Sequence, residues 1–486
     1  MIRTRMAPSP TGYMHIGAVR TGLFAWLFAR QQKGTFVLRI EDTDKVREVA
    51  GSEAHILESL EWIGITPDES PAHVGEYGPY RQSERLDTYM RYAQLLLEQG
   101  KAYADTTTTE QLEQWRAEAK AAKQPFHFNE HRPESTTWES GMPIRLKIDA
   151  DVSPEWVDLI RGPQKGSSEG LDDFVIIKAD GYPTYNFAHI IDDHEMQITH
   201  VVRADEFISS MPKFLMLYQA LGFELPQFAH CPPILEHEGN KKLSKRTGAP
   251  DLLAYRDQGY LPEAIMNFLA LMGWNDGTEQ EVYTRDELIE KFNFDKVQKS
   301  GARYDQKRLD WISGHHMRAL DIDTLYRNSC QKWEMGNGDS EGSSFWPKSA
   351  DDHTDEYKKQ VLSLVQERLK HFDELPMLTS FFFEELPVNP ELISTHKQLK
   401  KYEASTLKDY LAKAKSALET TEFTAESIQA TLNNLLEEIQ EKPVVLFSLI
   451  RISTTQAAFS PQLNETLAVL GKDTVLTRLD TQLSAL

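Results

Sequence analysis

Ser9-Pro10-Thr11-Gly12-Tyr13-Met14-His15-Ile16-Gly17 is the stretch whose reading decides the fold. Ahead of it, Ile2-Arg3-Thr4-Arg5-Met6-Ala7 reads as a short strand. Behind it, Val19, Leu23, Phe24, Trp26, Leu27 and Phe28 recur at helical spacing. A strand therefore turns through a Pro/Gly loop into a buried helix. Such a junction is expected to leave free backbone N–H groups and the positive end of the helix dipole facing outward, which suits a polyphosphate. Gly17 lets a flat base or a phosphate approach the backbone without a Cβ in the way, and His15 can donate to a phosphate oxygen. Taken alone, the stretch also reads as an ordinary strand–turn–helix with a satisfied histidine, because a three-residue match is common by chance.

Working outward, Thr35–Ile40 reads as a second buried strand ending in Glu41-Asp42-Thr43-Asp44. Ser52 is placed to cap a helix carrying Ile56, Leu57, Leu60 and Ile63. Ser83 begins another, with Leu86, Tyr89, Ala93, Leu96 and Leu97 on one face. Residues 103–170 are more polar and irregular, and read as an insertion between two halves of an α/β fold. Strand character returns at Val175–Ile177 and Thr199–Arg203, and Met211–Leu221 is helical. From residue 251 the periodicity is mainly helical, including Pro262–Trp274. Residues 334–355 are rich in Gly, Ser and Asp and read as a long loop. Beyond them lie only helical patterns, at Tyr357–Phe372, Leu407–Leu418, Ala425–Ile439 and Pro443–Ile452.

The length of 486 residues suggests about three domains. Lys and Arg number 53 against 74 Asp and Glu, a net charge of −21. That argues against indiscriminate nucleic-acid binding but leaves room for RNA recognition through local basic patches. Two cysteines far apart in sequence, Cys231 and Cys330, suggest neither a disulfide framework nor a metal knuckle. With no apolar signal core and no membrane-length apolar run, a cytoplasmic protein is expected.

A second motif changes the weight of the first. Lys241-Lys242-Leu243-Ser244-Lys245-Arg246 precedes Thr247-Gly248 in a polar loop. Alone it would be a basic surface loop. In this order, His15-Ile16-Gly17-Ala18 and Lys242-Leu243-Ser244-Lys245-Arg246 resemble the HIGH and KMSKS motifs of class I aminoacyl-tRNA synthetases. The runs Arg5–Tyr13, Arg39–Asp44, Gly78–Arg85, Gly181–His189, Asp192–His194, Thr199–Glu206 and Gly259–Ala264 resemble the glutamyl-tRNA synthetase family of bacterial type. Ala18 and Arg246 depart from the generic motifs as that branch commonly does. The resemblance runs end to end and is weakest at 103–170 and 330–430.

The resemblance implies an α/β plus all-α architecture: a Rossmann-type catalytic domain (1–78 and 185–240), a connective, acceptor-binding insertion (79–184), a KMSKS loop with a stem-contact region (241–325), and an all-helical anticodon-binding part (326–486). It implies a ligase that activates L-glutamate with ATP and transfers it to the terminal 2′-hydroxyl of tRNA(Glu). Glutaminyl-tRNA synthetase and a non-catalytic tRNA-binding paralogue are the alternatives. The glutaminyl relative has Pro-Glu-Pro-Asn in place of Pro8-Ser9-Pro10-Thr11, and C-terminal β-barrels that the helical pattern here does not match. His15, Lys242 and Lys245 are the implied catalytic residues, and Gly17, Glu206 and Ser244 join them around ATP. Arg5, Ala7, Ser9, Glu41, Tyr185, His189 and Arg203 are implied for glutamate, with Arg203 on its side-chain carboxylate and Glu41 on its α-ammonium. His189 stands where some members have Asn. Asp44 is placed near the tRNA end. Arg451 is a candidate anticodon contact, or equally a structural salt bridge. ATP and Mg²⁺ are expected, the ion held mainly by phosphates and water. No zinc is expected, since 101–150 contains no cysteine. The protein is expected to act as a monomer with no membrane partner.

The chemistry fits this residue inventory. When an α-carboxylate attacks the α-phosphorus of ATP and pyrophosphate leaves, no side chain need act as a covalent nucleophile. Alignment of two anions and stabilisation of phosphate charge carry the rate. A planar guanidinium matches a carboxylate in a bidentate way, which suits an acidic amino acid.

Overall fold

In the computed structural model, which describes residues 1–133, 137–148, 154–167, 171–239, 241–243, 251–331, 344–457 and 459–486, the opening stretch folds as read. Strand β1 (Arg3–Met6) passes through the loop into helix α1 (Ile16–Gln31) and on to strand β2 (Thr35–Leu38). β1 and β2 are parallel, with Arg3 opposite Thr35 and Arg5 opposite Val37. Side chains alternate across a strand, and both faces of β1 are covered. On one, Thr4 donates to the Ala25 carbonyl of α1 at 2.9 Å. On the other, Arg3 reaches Glu69 and Arg5 reaches Asp193.

Next come α2 (Ser52–Ile63), α3 (Leu86–Glu98), β3 (Ala102–Ala104), α4 (Thr109–Ala121), β4 (Ile144–Leu146), β5 (Glu155–Asp158), β6 (Gly162–Lys165), β7 (Phe174–Ile177), α5 (Tyr185–Glu195), β8 (His200–Ala204), α6 (Met211–Leu221) and β9 (Gln227–Cys231). The main sheet is six-stranded, in the order β2-β1-β8-β9-β5-β6. Its neighbours are parallel except for the β5–β6 hairpin. The chain leaves β1 towards β2 on one side and later returns to β8 on the other. That reversal of strand order opens a crevice beyond the C-terminal ends of β1 and β8, where open α/β sheets bind ligands.

β3, β4 and β7 form a separate antiparallel sheet within the expected insertion. The β5–β6 hairpin, also inside residues 79–184, instead extends the main sheet. Only alternate residues of β5 are buried, Trp156 and Asp158. So short a pattern, beside Gly and Pro, carries little sequence signal.

After β9, β10 (Ile234–Leu235), α7 (Leu252–Asp257), α8 (Pro262–Leu271), α9 (Arg285–Lys291) and β11 (Ala302–Arg303) follow. β10 pairs with β11, and the Leu243 N–H returns to the Ile234 carbonyl at 2.8 Å, which places Lys242 beside Leu235. One compact unit comprises Met1–Tyr255 and Pro262–Leu309; a second comprises Arg256–Leu261 and Asp310–Leu486. The division falls inside α10 (Gln306–Ala319). Beyond α10 the described elements are helices only, from α11 (Ile322–Ser329) through α12 (Asp355–Val365), α13 (Leu375–Phe383), α14 (Glu391–Ser394), α15 (Ala404–Glu419), α16 (Ala425–Ile439), α17 (Pro443–Thr455) and α18 (Leu463–Leu470) to α19 (Lys472–Ala485). α15 packs against α16, α17 and α19. No helix among the described residues is long and apolar enough to cross a membrane.

Several local expectations change. Ser52 does not cap α2; Gly51, at φ 79°, does. The Ser52 hydroxyl instead donates to the Gly12 carbonyl at 2.8 Å, tying α2 to the loop after β1. Ser83 precedes α3 within a 3₁₀ turn, and its hydroxyl and N–H both go to Asp42. The helix expected at Tyr357–Phe372 ends at Val365, and the one expected at Pro262–Trp274 ends at Leu271. Much of the expected 334–355 loop lies outside the described residues.

Candidate active site

A cavity of about 840 Å³ opens at the crevice. It is lined by the loop after β1, the first turns of α1, Glu41, Tyr185, the end of β8 and its following turn, Pro232–Ile234, and Lys242–Leu243. The first motif and the described start of the second, Lys242–Leu243, therefore share one hollow.

His15 is the N-cap of α1. Its Nδ1 accepts the N–H groups of Gly17 at 3.1 Å and Ala18 at 3.4 Å. Two of the amides expected to face outward are thus taken by the imidazole. Because Nδ1 accepts, the neutral ring carries its proton on Nε2. Gly17 suits this arrangement, since a Cβ there would stand 3.0 Å from His15 Cε1 and the imidazole would have to give way. Arg20, one turn on, donates to the Met272 carbonyl at 2.9 Å and to the Pro232 carbonyl, and so anchors the segment entering β10. Lys242 and Glu206, both half exposed on the cavity wall, form an ion pair. Ser244 and Lys245 lie outside the described residues.

The other end of the cavity holds Arg5, Ala7, Ser9, Glu41, Tyr185 and Arg203. Behind it lies a buried ionic network. Asp193 accepts from Arg5 Nε at 3.1 Å and from Arg39 Nη1 at 2.8 Å. Arg39 Nη2 donates to Glu41 at 3.1 Å. Asp192 accepts from Arg85 at 2.7 Å, Gln82 at 2.9 Å and Tyr89. Three guanidinium groups (Arg5, Arg39, Arg85) thus meet three carboxylates (Glu41, Asp192, Asp193), the pairing that makes buried charge tolerable. Burial alone would raise Asp193, but Arg5 and Arg39 beside it hold its carboxyl well below the usual range. Glu41 has less support. Burial pushes it up to about 7 against the pull of Arg39 and Arg5.

Arg203 stands outside this balance. It is buried, and among the described residues no carboxylate pairs with it. Its Nε donates to His230 Nε2 at 3.1 Å, its Nη2 lies 2.8 Å from Met211 Sδ, and its buried Nη1 has no hydrogen-bond partner. Its Cζ lies 4.6 Å from the ring centre of Phe214. An uncompensated buried cation is costly, and this one lines the cavity.

Three predicted residues lie elsewhere. His189 is not part of the cavity lining. It lies under Tyr185, rings 4.7 Å apart and tilted by 18°, with Nδ1 2.8 Å from the Tyr185 carbonyl. Burial, reinforced by Arg203, lowers it to about 3, so it stays neutral. The Tyr185 hydroxyl is itself pushed up by burial and by Glu41. Asp44 is outside the cavity and paired with Arg47 at 2.6 Å. Arg451, in the second unit, donates to the Ser460 hydroxyl at 2.9 Å, and among the described residues it makes no salt bridge.

Arg39, Asp192 and Asp193 belong to runs already noted in the sequence, but nothing there assigned them a role. Asp158 and His230 had no signal at all, being single polar residues in short strands. Among the described residues no group of three or more His, Cys, Asp or Glu side chains could hold a metal ion.

Comparison with known proteins gives a consistent result. Residues 1–311 match the family model described as tRNA synthetases class I (E and Q), catalytic domain, and residues 330–483 match an anticodon binding domain. The chain is 40% identical over 480 residues to a glutamate–tRNA ligase of Dehalococcoides mccartyi, covering 98% of this chain and 96% of that one. It is 40% identical over 488 residues to the glutamate–tRNA ligase of Moorella thermoacetica, covering 99% and 97%. Its fold is similar to the crystal structure of a glutamate tRNA ligase from Elizabethkingia meningosepticum in complex with its amino acid. There the TM-score is 0.87 at 34% identity, with 100% of this chain and 99% of that chain covered.

Proposed function

The chain belongs to the glutamate–tRNA ligase family of class I aminoacyl-tRNA synthetases, and from that premise and the cavity's geometry we infer how it charges tRNA(Glu) with L-glutamate using ATP. The glutamate α-carboxylate attacks the α-phosphorus of ATP. An oxygen–phosphorus bond forms, the bond to the bridging oxygen breaks, and pyrophosphate leaves with the electron pair. The terminal 2′-hydroxyl of the tRNA then attacks the activated carbonyl, and AMP departs.

Each wall of the cavity has a part in this. His15 Nε2–H and the Lys242 ammonium donate to phosphate oxygens and stabilise the charge that builds on them. Gly17 and Glu206 border the nucleotide, and the family pattern adds Ser244 and Lys245. Arg203 takes the side-chain carboxylate, and Glu41 accepts from the α-ammonium. Arg5, already tied to Asp193, contributes its remaining N–H donors, while Ala7, Ser9 and Tyr185 close the pocket. His189 acts through Tyr185 instead of touching glutamate. A Mg²⁺ ion would be held mainly by the phosphate oxygens and water, and would offset phosphate charge. Zinc has no part in this reading. Asp44 and Arg451 are offered as contacts to the acceptor end and the anticodon. The setting is the cytoplasm, and the enzyme acts as a monomer.

The observation that carries the amino-acid assignment is Arg203, a buried cation on the cavity wall with no carboxylate of its own. A glutamate side chain neutralises it, whereas the amide of glutamine cannot. The test is tRNA-dependent pyrophosphate exchange. Exchange with glutamate and tRNA(Glu), far above that with glutamine, is expected. Silence with both amino acids would favour a non-catalytic tRNA-binding protein, and a preference for glutamine would reverse the assignment.

A further inference from the structure

Arg203 is oriented without being neutralised. It faces His230 across the β8–β9 register, and its Nε donates to His230 Nε2 at 3.1 Å. A guanidinium can only donate, so Nε2 must be the acceptor and the ring proton must sit on Nδ1. Nδ1–H in turn meets Asp158 Oδ2 at 2.6 Å. Asp158 is held on every side. Its Oδ1 accepts the N–H groups of Ile160 at 3.0 Å and Arg161 at 2.9 Å, and its Oδ2 also accepts the His230 N–H at 3.1 Å. His230 and Asp158 are 0% and 1% exposed. Phe207, Phe214 and Phe228 surround the guanidinium, with ring centres 4.6 to 5.6 Å from Cζ.

We propose that His230, its tautomer set by Asp158, is a positioning residue that aims Arg203 at the side-chain carboxylate of glutamate while leaving the positive charge of Arg203 for the substrate. The proposal rests on the reading of Arg203 given above. The choice of residue follows from the chemistry. A carboxylate at position 230 would orient Arg203 equally well but would cancel its charge, and an apolar residue would leave the charge but not the orientation. A neutral imidazole supplies an acceptor and no charge. The fixing carboxylate, Asp158, stands one ring further back, where it orients the imidazole without touching the guanidinium.

The experiment measures glutamate KM, ATP KM and kcat in tRNA-dependent pyrophosphate exchange on the full chain carrying H230A, H230Q, H230E, R203A or R203A with H230A. H230A is expected to raise glutamate KM roughly tenfold or more, the scale of a lost hydrogen bond to a charged group. ATP KM and kcat should stay within about twofold, since the phosphate end of the cavity is untouched. H230Q, which keeps a neutral acceptor, should recover most of the loss. H230E should weaken glutamate at least as much as H230A. Adding H230A to R203A should cost nothing further, because the two act as one unit.

If R203A raises glutamate KM while H230A and H230E leave it unchanged, the role of His230 is overturned and that of Arg203 stands. If R203A itself leaves glutamate KM unchanged, the Arg203 reading falls first. A parallel loss of kcat, ATP KM and glutamate KM in both H230A and H230Q would mark a merely structural residue and would also overturn the proposal. Should H230A fail to fold, H230Q and H230E carry the test, and equal glutamate KM values for those two would refute it.

Discussion

Glu41 shows how a single residue can tune this site to pH. Its carboxyl is buried against Arg39 yet sits up to about 7, because burial outweighs the pull of Arg39 and Arg5. An α-ammonium needs the ionised form. In the empty site Glu41 is protonated below about pH 7, so binding there must first expel a proton. Glutamate affinity is therefore expected to fall up to about tenfold per pH unit below that value and to level off above it. Calorimetric titration of glutamate from about pH 6 to about pH 8 checks this. E41Q should bind more weakly at about pH 8 and lose the slope, and a wild-type affinity flat across that range would count against the role of Glu41. His189 should add no inflection, since at about 3 it does not titrate in that range. The residue types needed for this chemistry could be read from the sequence, because they stand in register with a family pattern. The family pattern already put Arg203 on the side-chain carboxylate, but why that arginine keeps its charge could not be read there. Arg5 and Arg203 look alike in sequence, and only Asp193 beside one and His230 beside the other separate them.

At the scale of elements, the entry to α1 is both a helix cap and part of the cavity wall. The His15 ring occupies the amides of Gly17 and Ala18, and a Cβ at position 17 would stand 3.0 Å from it. Gly17→Ala is expected to displace the imidazole and lower kcat for pyrophosphate exchange by roughly tenfold or more, the scale of one displaced charge-stabilising donor. Glutamate KM should change little, because Arg203 and Glu41 are untouched; a kcat at the wild-type level would refute the capping account. The other end of α1 is close-packed. A Cβ on Gly34 would meet the Ile2 carbonyl oxygen at 2.3 Å. Gly34→Ala should therefore destabilise the first unit by about 1–3 kcal/mol. A shorter half-life of thermal inactivation, with glutamate KM unchanged, is the expected outcome. The long apolar periods of α1, α15, α16 and α17 were legible because each is a local property of one segment. The β5–β6 hairpin and the ends of α8 and α12 were not. Their fate depends on neighbours such as β9, and Ser52 shows the same effect, giving up a cap for the Gly12 carbonyl.

The whole molecule carries a net charge of −21 and only two cysteines. Cys231 is fully buried and its thiol is pushed up to about 12 by burial, so it offers no thiolate to a metal. A zinc-selective chelator is expected to leave tRNA charging unchanged, whereas EDTA should abolish it and added Mg²⁺ should restore it. Loss of activity with the zinc chelator, or zinc found by elemental analysis of the purified protein, would contradict this. The sequence alone determined the class of fold, the order of its parts and the two motifs that carry the family resemblance. Hydrophobic period, turn chemistry and motif register are all carried along the chain, within reach of local reading. The tertiary structure alone decided the charge balance of the pocket. Compensation of buried ions is a sum over neighbours in space. Residues 5, 39, 41, 85, 158, 192, 193, 203 and 230 become neighbours only when β1, β2, β5, β8, β9, α5 and the start of α3 have assembled around one crevice.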